Sequence, residues 1–159
     1  MIVAPITQRA DGSGSWIWSR ARARSRGCPA PAPSRSSARL QRILLIDDTP
    51  EIAELLTFAL RDAGFQVFAE GYNVGVNELI VSQQSVALVL DCTSYDMSEA
   101  LFDSVRHHPD HANFPIVIIS DTPEVAVASL RSRNAERVLL VPKPFTGSQV
   151  AQALRQLLE

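Results

Sequence analysis

Val86-Ala87-Leu88-Val89-Leu90 runs without a polar side chain into Asp91-Cys92-Thr93. A short apolar run with this β-branched content suits a strand buried on both faces, and a carboxylate at its exit stands at a sheet edge. Four similar runs lie on either side: Ile43 to Ile46 and Phe65 to Ala69 before it, Ile116 to Ile119 and Val138 to Val141 after it. Amphipathic stretches of about ten residues or more separate them, which is the signature of repeated βα units. The expected architecture is α/β, a doubly wound five-stranded parallel sheet with helices on both faces. Right-handed crossovers in such a chain commonly give the strand order 2-1-3-4-5.

The intervening stretches carry helix signals. Ile52, Leu55, Leu56, Ala59, Leu60 and Ala63 recur at helical spacing, with Thr49 as N-cap, Pro50 at the first helical position and Gly64 as the stop. Thr122-Pro123-Glu124 repeats that opening ahead of a fourth helix. Val150, Ala151, Leu154, Leu157 and Leu158 give the last helix an apolar stripe. The second and third helices are expected near 72–82 and 97–108.

A chain of 159 residues with 46% hydrophobic content has room for one core of ordinary size. It lacks the run of about 18 apolar residues that a membrane-spanning helix needs, and no apolar leader follows Met1, so a cytoplasmic protein is expected. The net charge of −2 hides a split. Residues 1–40 hold seven arginines against Asp11 alone, a net +6, which leaves −8 for the remainder. Those first 40 residues mix Arg, Ser, Ala, Pro and Gly without periodicity and read as a disordered basic arm, with the folded domain over 41–159. A second reading of the arm is that Trp16 and Trp18, set beside the arginines, bind an acidic surface, lipid or nucleic acid. Cys28 lies in the arm and Cys92 in the apolar run, so no structural disulfide is expected and Cys92 reads as a small core residue.

In the order 2-1-3-4-5, strands one and three are neighbours, and ligands bind beyond the strand ends where the order reverses. The residues there are Asp47 and Asp48 after the first strand and Asp91 after the third. Three carboxylates together require either protonation or a cation, and hard oxygen donors on an open edge suit Mg²⁺. Ser120 follows the fourth strand. Lys143, the only lysine in a chain otherwise rich in arginine, follows the fifth. A compact ammonium on a flexible stem reaches a phosphoryl oxygen as a point charge.

Paired acids, an aspartate, a hydroxyl and Lys143-Pro144-Phe145, each at a successive strand end, resemble the receiver domains of bacterial two-component response regulators. The resemblance covers residues 41–159 and implies a flavodoxin-like fold. It implies that Asp91 is the phosphate acceptor, that Asp47, Asp48, Asp91 and the Thr93 carbonyl hold Mg²⁺, and that Ser120 and Lys143 contact the phosphoryl group. It also implies a cis bond between Lys143 and Pro144. The partners implied are a sensor histidine kinase or phosphotransfer protein as donor and a downstream protein as reader. No residues remain after the last helix for a DNA-binding or catalytic output domain, so a single-domain regulator rather than an enzyme is expected.

The chain departs from the receiver pattern in three places. The loop from Cys92 to Glu99 lacks the usual Met-Pro and later glycine, Leu140 stands where many receivers carry a switching aromatic, and Asp121 follows Ser120 where a small residue is usual. These departures keep a pseudo-receiver, binding partners without phosphorylation, as the alternative. A phosphatase of the haloacid-dehalogenase type is a minor one, opposed by the upstream acid pair and by Glu159 being the only acid after Lys143. His107, His108 and His111 read as part of a solvated loop around Pro109. Arg131, Arg133 and Arg137 flank the fourth helix and fifth strand, the face through which receivers often form homodimers or dock partners.

Overall fold

Each apolar run forms a strand. The computed structural model describes residues 40–72, 75–92, 95–133 and 135–159, without the side chains of 95–97; the arm expected over 1–40 falls, except for Leu40, outside them. The elements alternate as β1 (Arg42–Ile46), α1 (Pro50–Asp62), β2 (Gln66–Glu70), α2 (Val76–Ser82), β3 (Ala87–Cys92), α3 (Tyr95–His107), β4 (Ile116–Ser120), α4 (Pro123–Ser132), β5 (Val138–Pro142) and α5 (Gly147–Leu158). All strand pairs are parallel and the order is β2-β1-β3-β4-β5, as expected.

The boundaries shift for local reasons. Strand β2 begins one residue later than expected because the Phe65 amide donates to the Leu60 carbonyl, closing α1 around Gly64 at φ +95°. At the other end, β3 and β4 run one or two residues past the apolar runs, since the ladder continues to the pair Cys92 and Ser120. Asp91 and Ser120 therefore sit within the last rungs of their strands. Helix α2 starts only at Val76, behind Gly75 as N-cap, because Gly71 and Tyr72 wrap Asp48.

Alternate residues of the central strands face two cores. Ile43, Leu45, Val89 and Ile119 pack against Leu56 and Leu60 of α1 and Val150, Ala151 and Leu154 of α5. Leu44, Ile46, Leu88, Leu90 and Ile118 pack against Val76 and Ile80 of α2 and Leu101, Phe102 and Val105 of α3. Leu55, expected on the buried stripe of α1, is instead exposed with its neighbour Phe58, because the core takes only the Leu56–Leu60 edge of the helix.

The loop after α3 also differs from expectation. His111 is buried, its ring stacked on His108 at 4.4 Å and its Nδ1 2.7 Å from Asn77 Oδ1, so it ties this loop to α2 rather than standing in solvent. Burial, with the charge of His108 second, holds the His111 imidazole below its usual value.

Helix α5 opens with a capping box: Thr146 Oγ1 accepts from the Gln149 amide and the Gln149 side chain accepts from the Thr146 amide. The next residue, Gly147, lies against α1 so closely that an added Cβ would overlap the methyl of Ala59. Gly147→Ala should therefore lower stability by about 1–3 kcal/mol. In urea denaturation the loss should be smaller when Ala59→Gly is combined with it than the two single changes predict together. Strict additivity would show that the two sites do not touch.

Candidate functional site

Four strand ends converge on one edge of the sheet. The Asp47 amide continues the ladder to the Glu70 carbonyl at 3.1 Å, which fixes the exit of β1. Its side chain is 5% exposed, and Oδ1 accepts from the Thr49 amide at 2.8 Å, turning the chain into α1. Thr49 itself makes no side-chain cap, and Asp47 satisfies the Thr49 amide just ahead of the helix. Asp48, exposed, is held aside by the Tyr72 amide, which donates to its Oδ1 at 3.0 Å. Gly71 makes room for it, since a Cβ there would stand 3.2 Å from the same oxygen.

Asp91, at 1% exposure, is the most buried acid of the set. Lys143 Nζ donates to its Oδ1 at 2.7 Å. The lysine is delivered by β5: its amide donates to the Ser120 carbonyl at 2.8 Å and the following peptide bond to Pro144 is cis, as the resemblance implied. Ser120 is 2% exposed, and its hydroxyl oxygen accepts from the Thr122 amide at 3.1 Å. Asp121 is exposed.

Burial pushes the Asp47 carboxyl up to about 6. The Thr49 amide opposes this, while the charge and close approach of Asp91 add to it, and the Lys143 ammonium opposes it again. The folded protein thus holds this proton more tightly than the unfolded chain does. The stability so contributed is complete below the ordinary aspartate value and lost as pH rises through about 6. In EDTA-containing buffer the urea midpoint should fall more between pH 4 and 7 for the native chain than for Asp47→Asn. Equal slopes would remove Asp47 from that role.

Of the carboxylates expected to meet, Asp47 and Asp91 do so and Asp48 stands aside; no three ligating side chains converge among the described residues. Thr93 lies outside the described residues. Even so, the donors fit a hard cation: Asp47 Oδ2 is buried without a hydrogen-bond partner beside a second carboxylate. Tyr72 and Gly71 shape the site without having been singled out from the sequence, and Thr122, expected as a helix cap, instead donates its amide to Ser120. Gly71 alone carried a signal, as a glycine at a strand exit.

Comparisons with known proteins bear on the fold. No protein-family model matches the chain. The fold is that of response-regulator receiver domains, flavodoxin-like in class. A response regulator receiver protein from Sinorhizobium medicae WSM419 is 25% identical, with a TM-score of 0.56 over 77% of this chain and 97% of its own. A sensor protein from Polaromonas sp. JS666 is 23% identical, with a TM-score of 0.65 over 74% of this chain and 94% of its own. The chemotaxis response regulator CheY4 of Vibrio cholerae shares the fold at 19% identity and a TM-score of 0.58, covering 74% of this chain and 98% of its own. In sequence, the chain is 27% identical over 128 residues to a protein of Mycobacterium tuberculosis named as a probable transcriptional regulatory protein, TcrX. That match takes in 78% of this chain and 52% of the relative, so the chain spans about half of the relative's length.

Proposed function

We propose that residues 41–159 form a phosphoacceptor domain in which Asp91 takes a phosphoryl group from a histidine kinase or phosphotransfer protein. The observation that carries this reading is the Asp91 carboxylate, buried, gripped by Lys143 at 2.7 Å and pressed against Asp47. A carboxylate oxygen attacks phosphorus, the bond from phosphorus to the donor's imidazole nitrogen breaks, and that nitrogen keeps the electron pair. Lys143 neutralises charge on the phosphoryl oxygens and the Ser120 hydroxyl donates to one of them. Asp47, Asp48 and Asp91, with the Thr93 carbonyl, are the residues that would hold Mg²⁺, which supplies charge neutralisation when bound.

Output then rests on contacts with a downstream protein. No helix among the described residues is long and apolar enough to cross a membrane, which suits a cytoplasmic regulator working beside its kinase. Such a domain is a signalling partner and not a conventional enzyme; its chemistry is confined to its own carboxylate.

The test is intact mass after incubation with acetyl phosphate, with Mg²⁺ or with EDTA. One phosphate adduct formed only with Mg²⁺ supports the reading. No adduct, with beryllofluoride leaving partner affinity unchanged, favours the pseudo-receiver, for which the hold of the Tyr72 amide on Asp48, with no cluster of three ligating side chains among the described residues, is the supporting observation.

A further inference from the structure

Helices α1 and α5 stand side by side on one face of the sheet, both packed on the core of Ile43, Leu45, Val89 and Ile119. The close approach of Gly147 to Ala59 fixes their spacing. On the outward side of this pair Leu55 is 59% and Phe58 76% exposed, and no large hydrophobic side chain among the described residues is more exposed than Phe58. A single exposed hydrophobe is ordinary, but beside Phe58 the surface opens into a groove of about 400 Å³ between the two helices. Ala59 and Ala63 of α1 and Ala151 of α5 give it small-residue walls, and Asp62 and Arg155 also line it. A projecting ring and a groove with room for a ring therefore lie on one surface. That is what an isologous contact requires, in which a two-fold axis sets a patch against its own copy.

The charges follow the same pattern. Glu54 and Arg61, both exposed, lie about two turns apart on one face of α1 with Phe58 between them. An antiparallel two-fold centred at Phe58 sets Glu54 of each copy opposite Arg61 of the other. Glu51, a turn before Glu54, then faces the C-terminal end of the other α1, where Arg155 stands with its guanidinium donating to the Ala63 carbonyl at 2.9 Å. Arg61 donates to the Val67 carbonyl at 3.2 Å, and among the described residues neither arginine has a carboxylate partner, nor do Glu54 and Asp62 have a cationic one. Asp62 is the exception to the match, because the same axis brings it toward the acidic end of the other helix.

We propose that the chain pairs with a second copy of itself through the α1–α5 face, Phe58 of each copy entering the groove of the other and Glu54 meeting Arg61 across the axis. None of these residues belongs to the strand-end site, so the pairing needs no phosphoryl group. The surface also differs from that of the fourth helix and fifth strand, where the sequence pointed to a homodimer. It leaves the opposite side of the sheet, with α2 and α3, open to other partners.

The experiment is sedimentation velocity of the full chain over a range of concentrations, as the native protein, Phe58→Asp, Glu54→Arg, Arg61→Glu, the last two combined, Asp62→Asn and Arg131→Glu. All of these residues are exposed, and the urea midpoint checks that each variant folds. The native chain should dimerise with a dissociation constant on the order of 10 µM, as suits a small transient contact. Phe58→Asp should weaken it at least about thirtyfold, the loss expected of a central aromatic anchor. Glu54→Arg and Arg61→Glu should each weaken it about fivefold, and together they should restore it, since the pair returns with its signs exchanged. Asp62→Asn should tighten it about twofold by removing like charge. Arg131→Glu should leave it unchanged. A native chain that stays monomeric well above that concentration overturns the pairing and leaves the face to a different occupant. A dimer that survives Phe58→Asp and is lost in Arg131→Glu overturns it in favour of the α4 side. Charge reversals that are not rescued in combination overturn the antiparallel register.

Discussion

Asp91→Asn should accept no phosphate from acetyl phosphate under conditions in which the native chain gains one adduct. The amide oxygen is too weak a nucleophile to displace the leaving group, and no other carboxylate replaces it: Asp47 is tied to the Thr49 amide and Asp48 to the Tyr72 amide. The fold should survive, because asparagine keeps the shape and leaves an oxygen able to accept from Lys143 Nζ. Loss of the neighbouring negative charge should also let the Asp47 carboxyl fall toward its ordinary range, since Asp91 is one of the groups that raises it. Intact mass reads the first effect and a pH titration of stability the second. An adduct that persists in Asp91→Asn would place the acceptor elsewhere and sink the assignment.

Lys143→Met should be the most damaging change at the site for the fold as well as for the chemistry. Asp91 is almost wholly buried and Lys143 stands at 2.7 Å with a quarter of its side chain exposed, so the substitution removes a cation from beside a buried carboxylate. Breaking such a pair costs on the order of 3 kcal/mol, mainly because the remaining charge lacks solvent. Mg²⁺ should restore part of that loss by supplying positive charge to the same carboxylates. The rate of phosphate uptake should drop by about a hundredfold, the size typical of removing one group that stabilises transition-state charge. Stability that does not respond to Lys143→Met would show that the pair with Asp91 does not hold the fold.

The central part of this architecture was legible in the residues because burial on both faces leaves strands such as β3 no polar positions, and β3 is the run that stood out first. Asp91, Ser120 and Lys143 could be placed at one sheet edge because parallel strands all end on the same side. What the sequence concealed was of a different kind. The outward turn of Asp48 depends on a backbone amide, that of Tyr72, and amides carry no residue-specific signal. The contacts of Ser129 with Glu99 and of Arg133 with Asp103 join residues about 30 positions apart whose side chains look like any solvated helix surface. His111, a polar residue near Pro109, has the sequence surroundings of a loop, whereas its ring is buried against Phe114 and His108.

The strand order has a consequence for how the chain comes off the ribosome. Strand β1 pairs on both sides, with β2 soon after it and with β3 only once residues 87–90 have emerged, so the middle of the sheet closes late relative to its first strand. The cation at Lys143 arrives later still, carried by the fifth strand, and the helix that covers the Leu56–Leu60 edge comes after that. During synthesis there is therefore an interval in which Asp47 and Asp91 can already be neighbours while their positive counterpart is not yet available. A nascent domain at that stage would be the form of this protein most dependent on cations from the surrounding solution.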